Sequence, residues 1–183
     1  MRHVSLDLET MGNAPYSAIV AIGAVKFDPL TGELGSTCYL QIDLVSAVKH
    51  GGMIEASTVL WWMQQSDAAR KEVTGATRLM NLALHEFAQW LPRDAFVWGN
   101  GCGFDNARLR EAYQNAAIPC PFSYRNDMDL RTAKEIVRLL GDPSRCEVEQ
   151  AGTVHNALDD AVHQAQRISV YVRELRRIKG ESE

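Results

Sequence analysis

The chain has 183 residues, of which 46% are hydrophobic, and this length and composition suit one α/β domain with a sizeable core. The formal net charge of −4 excludes a globally basic surface, so any nucleic acid must be held by a local groove. Apolar runs stay short of the roughly 18 residues of a membrane span, no apolar signal segment precedes Asp7, and four cysteines without C-x-x-C spacing indicate free thiols. We therefore expect a single cytoplasmic domain over residues 1–183 with no membrane contact.

The predicted secondary structure begins with three strands. Apolar and polar residues alternate over residues 2–9, and further strands are expected at residues 18–27 and 36–42 with a hairpin turn between these two. The remaining predicted elements are a helix at 78–91, a buried strand at 95–99, and helices at 104–117, from just after 129 to about 140, and at 157–178. This order predicts a mixed sheet flanked by helices.

The most informative segment is Asp7-Leu8-Glu9-Thr10, at the end of the first predicted strand. In a strand the side chains of Asp7 and Glu9 point to the same side, with α-carbons roughly 6.5–7 Å apart. Two carboxylates about 4 Å apart would repel each other by roughly 4 kcal/mol at an effective dielectric constant of about 20. A divalent cation between them would remove that repulsion, and two solvated acids at an exposed strand end are the alternative explanation.

Further acids occur at the starts of two later helices. Asp105 follows the predicted strand at 95–99, where a loop opens into a helix, a place at which α/β folds bind ligands. Asp159 and Asp160 follow His155 near the start of the last helix. Each acid also has an ordinary explanation, because Asp caps helices and the helix dipole favours acids in a first turn.

Together these residues resemble the motifs of the DEDDh 3′–5′ exonucleases. The shared motifs are Asp-x-Glu-Thr on a first strand, Phe-Asp at a loop–helix junction, and His-x4-Asp at the last helix, and they extend from residue 4 to about residue 170. The corresponding residues in this chain are Asp7, Glu9, Asp105, Asp160 and His155. Three secondary motifs are similar to a subgroup of small phage and bacterial exonucleases and exoribonucleases: Leu8-Glu9-Thr10-Met11-Gly12, Trp61-Trp62 and Asp129-Leu130-Arg131-Thr132.

The resemblance implies a ribonuclease-H-like fold, with three antiparallel strands followed by parallel ones. It also implies hydrolysis of phosphodiester bonds at the 3′ end of single-stranded RNA or DNA, with release of nucleoside monophosphates. The four acids would be the ligands of two Mg²⁺ ions, for which Mn²⁺ can substitute, and such ions assist both attack and departure at phosphate. His155 would be the general base, because histidine ordinarily titrates near neutral pH. The family's gap of four residues after histidine favours Asp160 over Asp159.

The resemblance also suggests substrate contacts. Thr10 and Met11 follow the metal-binding strand, and the matching positions in the family often touch the terminal nucleotide. Trp62 is a further predicted substrate contact, because Trp61 or Trp62 could stack on a base. A place in the core or in a subunit contact is the alternative for both tryptophans. Family members are often homodimers, and the Trp-rich segment is a candidate for such a contact.

Two other functions are compatible with the sequence. A ribonuclease-H-type endonuclease on the same fold would cut a circular substrate, which an exonuclease cannot attack. A non-catalytic nucleic-acid-binding module with a vestigial metal site would bind without turnover, although the complete set of acids with His155 argues against it. RNA and DNA are equal candidates as substrates.

Overall fold

The fold is built on a five-stranded mixed sheet, in a computed structural model that describes residues 1–180 apart from the side chain of Glu72. The strands are β1 (His3–Thr10), β2 (Ile19–Phe27), β3 (Leu34–Gln41), β4 (Phe96–Gly99) and β5 (Asp127–Asp129). Their order in the sheet is β3-β2-β1-β4-β5. β1, β2 and β3 are antiparallel neighbours, whereas β4 pairs in parallel with both β1 and β5. The predicted mixed sheet is confirmed, with β1 at its centre.

Seven α-helices lie within the described residues. They are α1 (Leu44–Lys49), α2 (Ala56–Met63), α3 (Asp67–Thr74), α4 (Met80–Trp90), α5 (Asp105–Asn115), α6 (Leu130–Leu140) and α7 (Ala157–Ile178). Short 3₁₀ helices occur at Tyr124–Asn126 and Pro143–Cys146. The four predicted helices correspond to α4 through α7. The prediction did not include α1, α2, α3 and β5, because elements of three to eight residues are too short to show a clear apolar period.

Helices cover both faces of the sheet. On one face, Leu6 of β1 packs in a cluster with Phe87 of α4 and Tyr113 of α5. On the other face, Phe27 of β2 packs with Ile168 of α7. β1 is consequently buried on both sides. Its polar side chains lie beneath α7, so two solvated acids at an exposed strand end do not describe this site.

Gly23 of β2 allows α7 to approach the sheet closely. It pairs with Asp7 in the antiparallel register, so a Cβ at position 23 would point to the same face as the Asp7 side chain. That Cβ would overlap the backbone carbonyl of Ala157 and the backbone nitrogen of Leu158. Glycine therefore leaves the space in which the first turn of α7 brings Asp160 towards β1.

The longest helix is α7, with 22 residues. Within residues 1–180, no helix combines the length and the hydropathy needed to cross a bilayer. The cytoplasmic location and the homodimer stay predictions.

Candidate active site

Side chains from three distant segments line one cleft, here called the acid cleft, at the carboxyl ends of β1 and β4. Asp7 and Glu9 lie on β1, Asp105 is the first residue of α5, Asp160 lies in the first turn of α7, and His155 precedes that helix. The acid cleft has a volume of about 530 Å³. Because β1 and β4 are parallel, their carboxyl ends meet at one edge of the sheet. The structure thus brings all five predicted catalytic and metal-binding residues together.

Glu9, His155 and Asp160 form the tightest group in the acid cleft. One potential ligand atom from each residue lies within 4.8 Å of the other two. Glu9 is buried, while His155 and Asp160 are half-buried. Two carboxylates at this spacing can hold a metal ion between them, and the imidazole lies beside that position.

Asp7 lies where negative charge is concentrated. Burial raises the pKa of its carboxyl well above the ordinary range, and the nearby carboxylates of Asp105, Glu9 and Asp160 raise that pKa further. The side-chain amide of Gln164 donates a hydrogen bond to Asp7 Oδ1 at 2.7 Å, which opposes the rise only in part. Several oxygen donors with excess negative charge fit a hard divalent cation, which would favour the ionised carboxylates.

Asp105 is buried beside Asp7. Burial raises the pKa of its carboxyl to about 7, although a hydrogen bond from the Leu8 backbone and the charge of Arg108 oppose that rise. The capping alternative does not account for Asp105, because Phe104 is the N-cap residue of α5 and no side chain caps this helix. The Asp105 carboxylate accepts its own backbone N–H and that of Leu8, and its charge also acts on Asp7.

His155 lies in the loop before α7, where its backbone adopts the left-handed conformation with φ 65°. Its backbone N–H donates to Asp160 Oδ2 at 3.1 Å. The imidazole and the indole of Trp61 form a T-shaped contact, with 4.8 Å between ring centroids. Asp160 thus contacts the backbone of His155, and Trp61 contacts its ring, beside the acid cleft.

The two acids at the start of α7 differ in their surroundings. Asp160 lines the acid cleft, accepts a hydrogen bond from the side-chain amide of Gln150, and has a pKa that burial raises. Asp159 instead accepts the backbone N–H of Thr153 at 2.7 Å and thereby holds the preceding loop. The arrangement agrees with the choice of Asp160 as the residue facing the other acids.

A second hollow, the aromatic hollow, adjoins the acid cleft. It has a volume of about 440 Å³ and shares Leu8, Glu9 and Phe104 with the acid cleft. Its other lining residues are Thr10, Gly12, Asn13, Ser57, Thr58, Trp61 and Trp62. A space with both aromatic and polar lining residues beside a cluster of acids is suited to a flat ring attached to a charged group.

The predicted substrate contacts occupy different places around the aromatic hollow. Trp62 is only 4% exposed, and its indole N–H donates to the Thr10 carbonyl at 3.1 Å, whereas Trp61 is 38% exposed. Thr10 lines the hollow but is buried, and its hydroxyl donates to the Gly12 carbonyl at 2.8 Å. Met11, the other residue predicted to contact the terminal nucleotide, is absent from the lining of the hollow and packs in the core. The most accessible ring is therefore that of Trp61.

One wall of the aromatic hollow is held from two sides. The carboxylate of Glu55 accepts the backbone N–H groups of Asn13 and Ala14 at 3.0 and 2.9 Å. The buried guanidinium of Arg108 donates to the carbonyls of the same two residues, at 3.0 Å for Ala14. It also lies 3.3 Å from the centroid of the Phe104 ring. Arg108 thereby connects the Asn13–Ala14 segment to Phe104 on the other side of the hollow.

Several residues of the site were not predicted from the sequence. Gln164 lies four residues after Asp160 on α7, and that spacing places both residues on the same side of a helix. Gln164 could therefore have been predicted from the sequence. Arg131 and Arg167 also line the acid cleft. Arg131 belongs to the secondary motif Asp129-Leu130-Arg131-Thr132, which could have pointed to it. No sequence spacing points to Arg167 or to the Glu55 and Arg108 contacts.

The chain is similar to known nucleases over most of its length. Residues 2–172 match the family described as the 3′-5′ exoribonuclease Rv2179c-like domain. An exodeoxyribonuclease of Enterobacteria phage T4 is 25% identical over 188 residues, which cover 86% of this chain and 82% of the phage protein.

Solved structures show the same fold. E. coli exonuclease I in complex with a dT13 oligonucleotide has a TM-score of 0.73 at 13% identity over 97% of this chain and 42% of that chain. The nuclease domain of 3′hExo, a DEDDh family member bound to rAMP, has a TM-score of 0.62 at 16% identity over 96% of this chain and 92% of that domain. The chain thus spans less than half of exonuclease I but nearly all of the 3′hExo domain. Since the family match extends from β1 into α7, the chain belongs to the Rv2179c-like 3′–5′ exoribonuclease domain family and is a nuclease.

Proposed function

We propose that this nuclease removes nucleotides one at a time from the 3′ end of single-stranded RNA or DNA and releases nucleoside monophosphates. The observation that carries the proposal is the convergence of four acids and His155 in a cleft beside an aromatic hollow. The acid cleft would receive the scissile phosphate, and the aromatic hollow the adjoining nucleoside.

The cation required at this site is proposed to be a pair of Mg²⁺ ions, with Mn²⁺ as a substitute. Asp7, Glu9, Asp105 and Asp160 would hold them, because carboxylate oxygens are the ligands that Mg²⁺ prefers. When bound, the ions supply an activated water and neutralise charge that develops on the phosphate. The raised pKa of Asp7, which follows from burial and three neighbouring carboxylates, supports a need for positive charge here.

His155 is proposed to accept the proton of the attacking water. Its ring lies at the mouth of the acid cleft, next to Glu9 and Asp160, and its backbone is bonded to Asp160. The indole of Trp61 contacts the imidazole, with 4.8 Å between ring centroids. General-base catalysis of this kind contributes about 10²–10⁴-fold to rate, so His155→Ala should lower the rate by that factor and leave metal binding intact.

The aromatic hollow is proposed to bind the terminal nucleoside. Trp61 offers an accessible ring, and base–aromatic stacking contributes about 1–3 kcal/mol per base. The wall at Asn13 and Ala14 is already fixed by Glu55 and Arg108, so little order would have to be imposed on binding. The mononucleotide rAMP bound to the 3′hExo domain and the dT13 strand bound to exonuclease I support a nucleotide as the occupant.

The test uses single-stranded RNA and DNA oligomers of identical sequence, labelled at either the 3′ or the 5′ end. We expect the 3′ label to be released as a mononucleotide in the first turnover. We expect the strand that carries the 5′ label to become shorter by one nucleotide at a time. The ratio of the two rates gives the preference for RNA or DNA. Asp7→Asn is the control for contaminating nuclease, and it should abolish release.

A circular single strand tests the endonuclease alternative. The proposed exonuclease leaves the circle intact while degrading its linearised form. Cutting of the circle would favour the ribonuclease-H-type enzyme. Binding of the linear strand without turnover in either Mg²⁺ or Mn²⁺ would instead favour the non-catalytic module.

A further inference from the structure

Two arginines line the acid cleft but not the aromatic hollow. Arg131 lies at the start of α6, and Arg167 lies seven residues after Asp160 on α7. Within residues 1–180 neither guanidinium forms a salt bridge, although both line a cleft rich in carboxylates and the charge of Arg131 lowers the pKa of Asp105. Arg131 contacts the side-chain oxygen of Asn100 at 3.4 Å, and Arg167 donates to the hydroxyl of Tyr171 at 3.0 Å. Both arginines therefore retain donors that can bind an anion.

The position of Arg131 is prepared by the loop after β4. Gly101 has φ 101°, and a Cβ there would lie 3.3 Å from the central carbon of the Arg131 guanidinium. The guanidinium therefore rests against a loop position that has no side chain. Asn100, next to Gly101, is the residue that Arg131 contacts, so one loop both makes room for the guanidinium and orients it.

The chemistry of the reaction indicates which anion would bind. A released nucleoside monophosphate carries one phosphate, the scissile one, which the proposed function places among the acids. A second phosphate bound nearby must then belong to the strand that remains. Arginine suits a phosphodiester because its planar donors can bind two oxygens at once. With a net charge of −4 on the chain, a backbone contact has to come from such local cations.

We propose, on the basis of the proposed function, that Arg131 and Arg167 form a subsite for the phosphodiester on the 5′ side of the scissile bond. This subsite holds the retained strand while the terminal nucleotide is removed. It makes the enzyme more efficient on oligonucleotides than on substrates that carry only a scissile phosphate.

The experiment compares two substrates in Arg131→Gln, Arg167→Gln and the double variant. One is a single-stranded oligonucleotide, and the other is the p-nitrophenyl ester of thymidine 5′-monophosphate, which has a scissile phosphate and no upstream one. For the double variant we expect kcat/KM on the oligonucleotide to fall about tenfold more than on the ester, mainly through KM. The slope of log KM against log salt should decrease by about 0.7 for each phosphate that the protein no longer neutralises.

Lys134→Gln is the matched control, because Lys134 is an exposed residue of α6 that lies outside the acid cleft. It removes the same formal charge and should leave both the substrate ratio and the salt slope unchanged. Arg131→Lys and Arg167→Lys should restore the salt slope, because they return the charge.

The outcomes separate the two proposals. Equal losses on both substrates, or an unchanged salt slope in the double variant, would overturn the subsite while leaving the proposed function standing. Wild-type protein that hydrolyses neither substrate would refute the proposed function, and the subsite with it.

Discussion

Replacing Gly23 with alanine tests whether the packing of α7 on β2 assembles the site. The new Cβ would overlap the backbone of Ala157 and Leu158, whereas ordinary van der Waals contact lies at 3.4–4 Å. The first turn of α7 would have to withdraw by about 1 Å or more to restore such contact. Overpacking of this kind costs roughly 1–3 kcal/mol of unfolding free energy. A displacement of about 1 Å at a catalytic group lowers the rate about 10²-fold.

The assay for Gly23→Ala combines urea unfolding with release of nucleotides from a 3′-labelled oligomer. We expect a folded, destabilised protein with a rate about 10²-fold lower, because Asp160 and His155 move away from Asp7. Gly103→Ala is the control, since position 103 lies in the loop next to the site and a Cβ there meets no atom within 4 Å. A Gly23→Ala protein with wild-type rate and stability would refute this account of how α7 is positioned.

Three further predictions follow from the site. Burial raises the pKa of Asp105 to about 7, from an unfolded value of about 4. Without divalent metal, the stabilising contribution of Asp105 is therefore fully present below about pH 4 and is lost as the pH rises through about 7. Urea unfolding of wild type and Asp105→Asn at several pH values should show this difference. Mg²⁺ or Mn²⁺ should raise the thermal midpoint of wild type but raise that of Asp7→Asn much less, and an equal rise in both would place the bound ion elsewhere. Trp62→Ala should cost about 3–5 kcal/mol of unfolding free energy, because the Trp62 ring is buried. Trp61→Ala should leave stability nearly unchanged and raise KM about 5–150-fold, because the exposed Trp61 ring is the one proposed to stack on a base. The reverse result would make Trp62 the stacking residue and Trp61 the structural one.

The central strand and the long helices could be predicted because their side chains repeat with a regular period. Alternation along β1 places Asp7 and Glu9 on one side, and the three- and four-residue spacing along α7 identifies a helix of the observed length. β5 could not be predicted, because Asp127–Asp129 is a short polar segment that joins the sheet through backbone pairing with β4. An alternating apolar pattern cannot predict a strand that forms only through backbone pairing with the adjacent strand.

The acids of the site could be identified because their order along the chain resembles a family motif. The choice between Trp61 and Trp62 could not be made in the same way, since adjacent helical residues face different directions and only the docking of α2 decides which one is buried. Glu55 and Arg108 were beyond prediction for another reason. Their partners are backbone atoms of Ala14, 41 and 94 positions away, and every residue type has those atoms.

The division of the site between the first strand and the last helix has a consequence for biosynthesis. During translation, β1 leaves the ribosome early, but the segment that carries His155 and Asp160 follows only after about 150 further residues. An unfinished polypeptide therefore lacks both the proposed proton acceptor and one of the four proposed metal-binding acids. The site that we propose for hydrolysis is thus complete only once the last helix packs on the sheet, which is late in synthesis.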